Sequence, residues 1–268
     1  MYQFFQSLRN IWLPFCSSWH AVNRWTSKSL FSHNLFLSDF NESQIFFFIQ
    51  TFHDHQLLAL CLQELRKRFP KARVLVVSDG DLSPQPRLIA KSFEAEFLLG
   101  TNCAKLQAGG TFLRRMLGLF LQRADAKVLI RIDPDTRLHR EFRRLPAGIC
   151  VFGTLQRAGF QLSIQGGFVG FTREAAERIF RLPPATWALM RQPTLSWAKF
   201  LPKIQRESIA TSRVKTDWLI AFAAREACVP LREFSEVRCH WKAPPQHPAR
   251  YAATHPHKER NTNLSISG

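Results

Sequence analysis

The 268-residue chain is predicted to fold as an α/β domain, a mostly parallel sheet flanked by helices, preceded by an N-terminal extension. Three observations predict it. Short runs dominated by apolar residues recur at Gln44–Thr51 (QIFFFIQT), Arg73–Ser78 (RVLVVS) and Lys127–Ile132 (KVLIRI), the pattern of strands buried on both faces. Stretches of helical period separate them. The connections are short, so strand, helix and strand follow one another as in a sheet with crossover helices.

The elements follow in order. Residues 1–43 carry Trp12, Trp19, Trp25 and several phenylalanines with little regular period, and form the extension. The first strand, Gln44–Thr51, leads into a helix over His55–Phe69, where Leu57, Leu58, Cys61, Leu62 and Leu65 recur at helical spacing and Pro70 stops it. The second strand ends at Asp79-Gly80-Asp81. A short helix near Pro86–Ser92 and a strand at Glu96–Leu99 come next. Gly109-Gly110 opens a helix reaching about Arg123, and Lys127–Ile132 then runs into Asp133-Pro134-Asp135. Cys150–Gln156 and Gly167–Phe171 read as strands, and Arg173–Phe180 as a helix capped by Thr172. Leu182–Pro202 reads as loop or short helices, Asp217–Ala227 as a helix, and Glu236–His240 as a last strand. The catalytic domain is expected over residues 44–242, with a Pro/His-rich C-terminal tail over 243–268.

A formal charge of +17 favours an anionic partner, and residues 142–268 contribute most of it, with 19 basic against 8 acidic residues. The basic residues stand singly or in pairs. Charge alone does not choose among nucleic acid, membrane and a phosphorylated ligand, but the lack of a charge run and of stacking aromatics beside basic residues means that no nucleic-acid partner is expected. The six cysteines form no CxxC pair and are expected to be free thiols of a reducing compartment. No apolar run approaches the roughly 20 residues of a membrane span. The first fifteen residues lack the parts of a signal peptide. A cytoplasmic protein is expected, with peripheral membrane contact through the N-terminal aromatics as an option.

The chemistry centres on Asp133-Pro134-Asp135. Ligands of open parallel sheets bind at the carboxyl ends of strands, and two carboxylates there can hold Mg²⁺ or Mn²⁺. Such hard-oxygen sites suit a metal that also grips phosphate. Pro134 restricts the turn. Arg114, Arg115 and the amides at Gly109-Gly110 offer positive charge to a diphosphate. Gln165-Gly166-Gly167-Phe168 permits a close backbone approach.

The order of these motifs resembles the GT-A glycosyltransferases, the Rossmann-like nucleotide-sugar enzymes with a DxD motif, and most closely their broad family 2 class, over roughly residues 44–240. The resemblance implies a metal-dependent glycosyltransferase that moves a sugar from a nucleotide-diphospho-sugar, with a UDP-sugar as first choice, to a hydroxyl acceptor on a glycan, a lipid or another molecule. It implies that Thr51 contacts the nucleoside and that Asp79, rather than Asp81, meets the base. Asp133 touches the ribose or sugar and shares the metal, and Asp135 is the main metal ligand. Gly166 and Gly167 border the donor sugar and acceptor. Asp217 in Thr216-Asp217-Trp218 serves as general base of an inverting reaction, although the usual Glu-Asp pair is here Thr-Asp; a helix cap is the other role open to it. A C-terminal histidine completes the metal shell, either His240 or the His255/His257 segment with His255 preferred, and Lys258 reaches a phosphate. Two other readings remain: a nucleotidyltransferase of related fold, disfavoured by the glycine-free Thr51–His55 segment, and a non-catalytic basic protein that binds anionic membrane or nucleic acid.

Overall fold

The computed structural model describes residues 36–37, 41–101, 109–158, 161–191, 216–240 and 245–256. They belong to one compact unit, Phe36–Gly268. His257, Lys258 and nearly all of the expected N-terminal extension lie outside the described residues.

The centre is a seven-stranded sheet. Its strands are β2 (Ile45–Thr51), β3 (Arg73–Asp79), β4 (Glu96–Gly100), β5 (Val128–Ile132), β8 (Val151–Ala158), β9 (Gln161–Thr172) and β10 (Leu231–Glu233), in the order β10-β8-β9-β5-β2-β3-β4. β2 pairs in parallel with both β3 and β5, and β3 with β4. β9 runs antiparallel to its neighbours β5 and β8, while β10 lies parallel to β8. The mostly parallel sheet expected from the apolar runs is therefore present, with β9 as its one reversed strand.

Side-chain alternation explains why those runs are apolar throughout. Phe46 and Phe48 of β2 join Leu75, Val77 and Leu129 in one buried layer. Ile45, Phe47 and Ile49 join Val74, Val76, Val128 and Ile130 in the other. Both faces are covered by helices, so neither set can be polar. α1 (His55–Arg68) covers the second layer with Leu58, Cys61, Leu62 and Leu65, the helical stripe legible in the sequence. The Arg66 side chain then ties the chain reversals together, donating to the carbonyls of Ala72 (2.7 Å), Phe93 (2.8 Å) and Glu94 (2.9 Å). α2 (Gln85–Ser92) packs on the same side through Ala90. The first layer is covered by α3 (Gly109–Leu121), α4 (Arg173–Phe180), α5 (Pro184–Arg191) and α6 (Thr216–Glu226).

Two glycines have local packing roles, and Thr172 stands at the N-cap of α4 as expected. A Cβ on Gly110 would stand 2.7 Å from the Met190 carbonyl oxygen, and one on Gly109 would press on Leu219. The pair lets α3 approach α5 and α6 closely, a packing role. Thr172 is the N-cap residue of α4, but its hydroxyl makes no capping bond and instead exchanges hydrogen bonds with the Cys150 backbone at 3.2 and 3.3 Å.

Small strands build one edge of the site. β1 (Phe36–Leu37) pairs with β7 (Leu145–Pro146). β12 (Ala253–Pro256) lies between β11 (Val237–His240) and β6 (Arg137–Leu138). The segment expected as a surface tail thus contributes a strand, with Ala253, Thr254 and His255 buried. Its pairing is reinforced by His139, whose ring bonds the Thr254 hydroxyl at 2.8 Å and whose amide donates to the Ala252 carbonyl at 2.8 Å. Among the described residues, Cys61, Cys150 and Cys239 are buried free thiols and Cys228 is an exposed one. No helix among them is long and apolar enough to cross a membrane.

Candidate metal centre

The chain builds β2, β3 and β4 outward on one side, then returns to place β5 on the other side of β2. The crevice beyond the carboxyl ends of β2 and β5 is the switch point where open α/β sheets bind ligands. Thr51 ends β2 and Asp133 follows β5 directly.

Asp133-Pro134-Asp135-Thr136 is a tight turn, closed by the Thr136 amide donating to the Asp133 carbonyl at 3.0 Å. Proline suits its second position because φ is already fixed there. The turn is anchored to β9: the Gly167 carbonyl accepts from the Asp133 amide at 3.1 Å and from the Thr136 hydroxyl at 2.9 Å. β6 follows at once and carries β12 beside the turn.

That pairing delivers His255. Its Nε2 lies 2.9 Å from Asp135 Oδ1 and 3.6 Å from Asp133 Oδ2. The three ligand atoms lie within 4.8 Å of one another. Adjacent ligands of a six-coordinate ion with bonds of about 2.1 Å stand roughly 3 Å apart, so the set fits a hard divalent cation after small adjustments. Burial alone would favour a neutral His255 ring. Hydrogen bonds with Asp135 and Cys239, together with both carboxylate charges, outweigh it and push the pKa up to about 10. His240 ends β11 opposite Pro256, one position beyond the Cys239–His255 pair. Between the two histidines considered, His255 is the one that meets the acids.

Gly166 and Gly167 are dictated by what packs on them. A Cβ on Gly167 would come closer than 3.0 Å to the His255 ring, and one on Gly166 would do the same to the Asp217 carboxylate. β9 therefore holds Asp217 on Gly166 and His255 on Gly167. Asp217 lies in the first turn of α6, which packs against β9. Burial raises its pKa, against the lowering effects of the Arg131 charge and a backbone hydrogen bond from Gly166.

Arg131 joins the two halves and was not singled out in the sequence. Only 7% exposed, it donates to Asp133 Oδ1 at 2.6 Å and to the Gly166 carbonyl, and its charge faces Asp217. A lone guanidinium inside KVLIRI, between two apolar layers, was the available signal: a charge buried in a strand needs partners. Arg131→Met is expected to cost about 3 kcal/mol, because Asp133 and Asp217 would then face each other without their cation. Urea unfolding of the two proteins measures it.

The other expected residues fall as follows. Thr51 is 1% exposed, and its hydroxyl has no hydrogen-bond partner among the described residues. Asp79 is buried at the end of β3. Asp81, passed over in the sequence reading, is the acid with two histidines around it: His55 Nε2 lies 2.7 Å and His53 Nδ1 3.3 Å from its Oδ2. Burial works against its ionisation, but hydrogen bonds with His55 and Ser83 prevail and hold its carboxyl well below the usual range. Arg114 stacks over Phe180 and Trp187 at 5.7 and 5.6 Å. Among the described residues no ion pair joins Arg114 to Asp133 or Asp135.

Searches against protein-family models and curated proteins return no match to this chain.

Proposed function

We propose that the chain is a metal-dependent glycosyltransferase that moves a sugar from a nucleotide-diphospho-sugar, with a UDP-sugar as first choice, to a hydroxyl acceptor. The observation that carries this reading is the convergence of Asp133, Asp135, His255, Gly166, Gly167 and Asp217 at the switch point of a mostly parallel sheet. The meeting of His255 with Asp135, 120 residues apart in sequence, adds to the resemblance in motif order.

A divalent cation held by Asp135, Asp133 and His255 would supply positive charge to the leaving diphosphate. Thr51, whose buried hydroxyl has no hydrogen-bond partner among the described residues, offers a polar contact for the nucleoside at the end of β2. Gly166 and Gly167 let the Asp217 carboxylate and the His255 ring pack directly on the β9 backbone, which sets base and metal ligand side by side at the donor sugar. The acceptor oxygen attacks the anomeric carbon, the bond from that carbon to the diphosphate oxygen breaks, and Asp217 takes the acceptor proton. A carboxylate with a raised pKa is a stronger base than an exposed one. Arg131 keeps Asp217 ionised enough to act and holds Asp133 in place.

Asp217→Asn separates this role from helix capping, because Asn also caps well. The variant is expected to fold, to lose roughly a hundred- to ten-thousandfold in kcat, and to lose the acid limb of the pH–rate profile. In the parent that limb lies above the usual carboxylate range, since deprotonation of Asp217 is what burial opposes. The sign for stability is opposite: a raised carboxyl pKa stabilises the fold at low pH and loses that contribution as pH rises through it. The Asn protein is therefore expected to gain stability relative to the parent at high pH, read from melting temperatures across pH.

The direct test of the function is a hydrolysis screen of UDP-, GDP- and CMP-sugars with Mn²⁺, since slow donor cleavage by water needs no acceptor. Metal-dependent release of one nucleotide is expected. If none of the three is cleaved and none raises the melting temperature, the proposal fails.

A further inference from the structure

Beyond the Asp133 cluster, a second group of ligand-bearing side chains stands at the same edge of the sheet. We infer that His53, His55 and Asp81 form a zinc site with three protein ligands and one position open to solvent.

The donor set separates the two clusters chemically. Asp133, Asp135 and His255 supply two carboxylates and one imidazole, suited to Mg²⁺ or Mn²⁺. His53, His55 and Asp81 supply two imidazoles and one carboxylate, the nitrogen-rich set that Zn²⁺ takes in open, three-ligand sites. Neighbouring ligand atoms of tetrahedral zinc with bonds of about 2.0–2.1 Å stand roughly 3.4 Å apart. His53 Nδ1 and Asp81 Oδ2 already stand 3.3 Å apart. His55 Nε2 lies 2.7 Å from the same oxygen, within hydrogen-bond distance. A small opening of the pair would make room for the ion.

The carboxylate is oriented for this. Asp81 Oδ1 accepts the Ser83 amide at 2.9 Å, which turns Oδ2 toward the histidines. The Ser78 hydroxyl donates to the Asp81 carbonyl at 2.8 Å and fixes the backbone beneath it. Such outer contacts are what hold metal ligands in place. The Asp81 side chain is 1% exposed, whereas those of His53 and His55 are 62% and 30% exposed, so the base of the site is buried and its mouth is open. An ion there would clip the β2–α1 connection to the β3–α2 connection, two loops joined among the described residues by only a few side-chain bonds.

The test uses the full, tag-free chain carrying Asp135→Asn, which disables the other cluster, and titrates it with Zn²⁺ by calorimetry and with Co²⁺ by visible absorption. One zinc per chain, a rise in melting temperature with zinc, and Co²⁺ bands of four-coordinate intensity are expected. Adding His53→Gln or Asp81→Asn is expected to weaken binding roughly tenfold or more. Asp81 is buried and its variant can misfold; His53→Gln changes a solvent-facing side chain and decides the matter in that event. Absence of zinc uptake by the Asp135→Asn protein overturns the inference. So does undiminished uptake after His53→Gln.

Discussion

Asp135→Asn is expected to lower kcat by roughly a hundred- to a thousandfold, about 3–4 kcal/mol of transition-state stabilisation. The neutral amide is a poor ligand for a hard cation, and Asp135 is the acid closest to His255. The loss is expected in kcat more than in KM, because charge develops on the diphosphate as its bond to the sugar breaks. The substitution also has a signature without substrate. In the metal-free protein the His255 pKa stands at about 10, against an ordinary value of 6.5. A histidine whose pKa is raised by folding stabilises the fold fully below about pH 6.5, and that contribution is lost as pH rises toward 10. Melting curves of the metal-free parent are thus expected to decline over this window, and those of Asp135→Asn to decline less. Metal and proton compete for the same nitrogen, so the parent's apparent metal affinity is expected to climb with pH over the same range.

Gly167→Ala is expected to damage the site without removing any ligand. The added methyl would fall closer than 3.0 Å to the His255 ring. The ring is buried and hydrogen-bonded to Asp135, so it has little room to yield. The β9 backbone has little more, because the Gly167 carbonyl holds both the Asp133 amide and the Thr136 hydroxyl. Overpacking of this kind costs about 1–3 kcal/mol, to be read from urea unfolding. Mn²⁺ affinity is expected to fall roughly tenfold or more, because the ring is displaced from the carboxylates it faces. Loss of stability with unchanged Mn²⁺ affinity would mean that His255 is not a ligand.

These two variants rest on features that were unequally legible in the sequence. Gln44–Thr51, Arg73–Ser78 and Lys127–Ile132 stand out as strands because burial on both faces makes their central positions almost entirely apolar, Arg131 excepted. Asp133 and Asp135 stood out because they close the last of those runs. The reach of β9 did not: it spans Gln161–Thr172, while only Gly167–Phe171 carried a strand pattern. Its first half pairs with β8 alone, and that pairing is a tertiary outcome. β10, three residues at the sheet edge, is too short to leave a periodic signal. The choice between His240 and His255 turned on the parallel pairing of β11 with β12, which no local pattern encodes. The surroundings of Asp81 are not legible in the sequence, because His53 and His55 lie more than 25 residues earlier. Arg131, a single charge inside an apolar strand, is legible as a residue that needs buried partners.

The central claim is that Asp133, Asp135 and His255 bind a divalent cation that in turn holds a nucleotide-sugar. Calorimetric titration of the parent chain with the nucleotide-sugar selected by the hydrolysis screen, once in saturating Mn²⁺ and once in chelator, tests it most directly. One binding site with metal, and an affinity at least about tenfold weaker in chelator and in His255→Ala with Mn²⁺, are the predicted results. Equal affinity in Mn²⁺ and in chelator, or no binding in either, would contradict the claim.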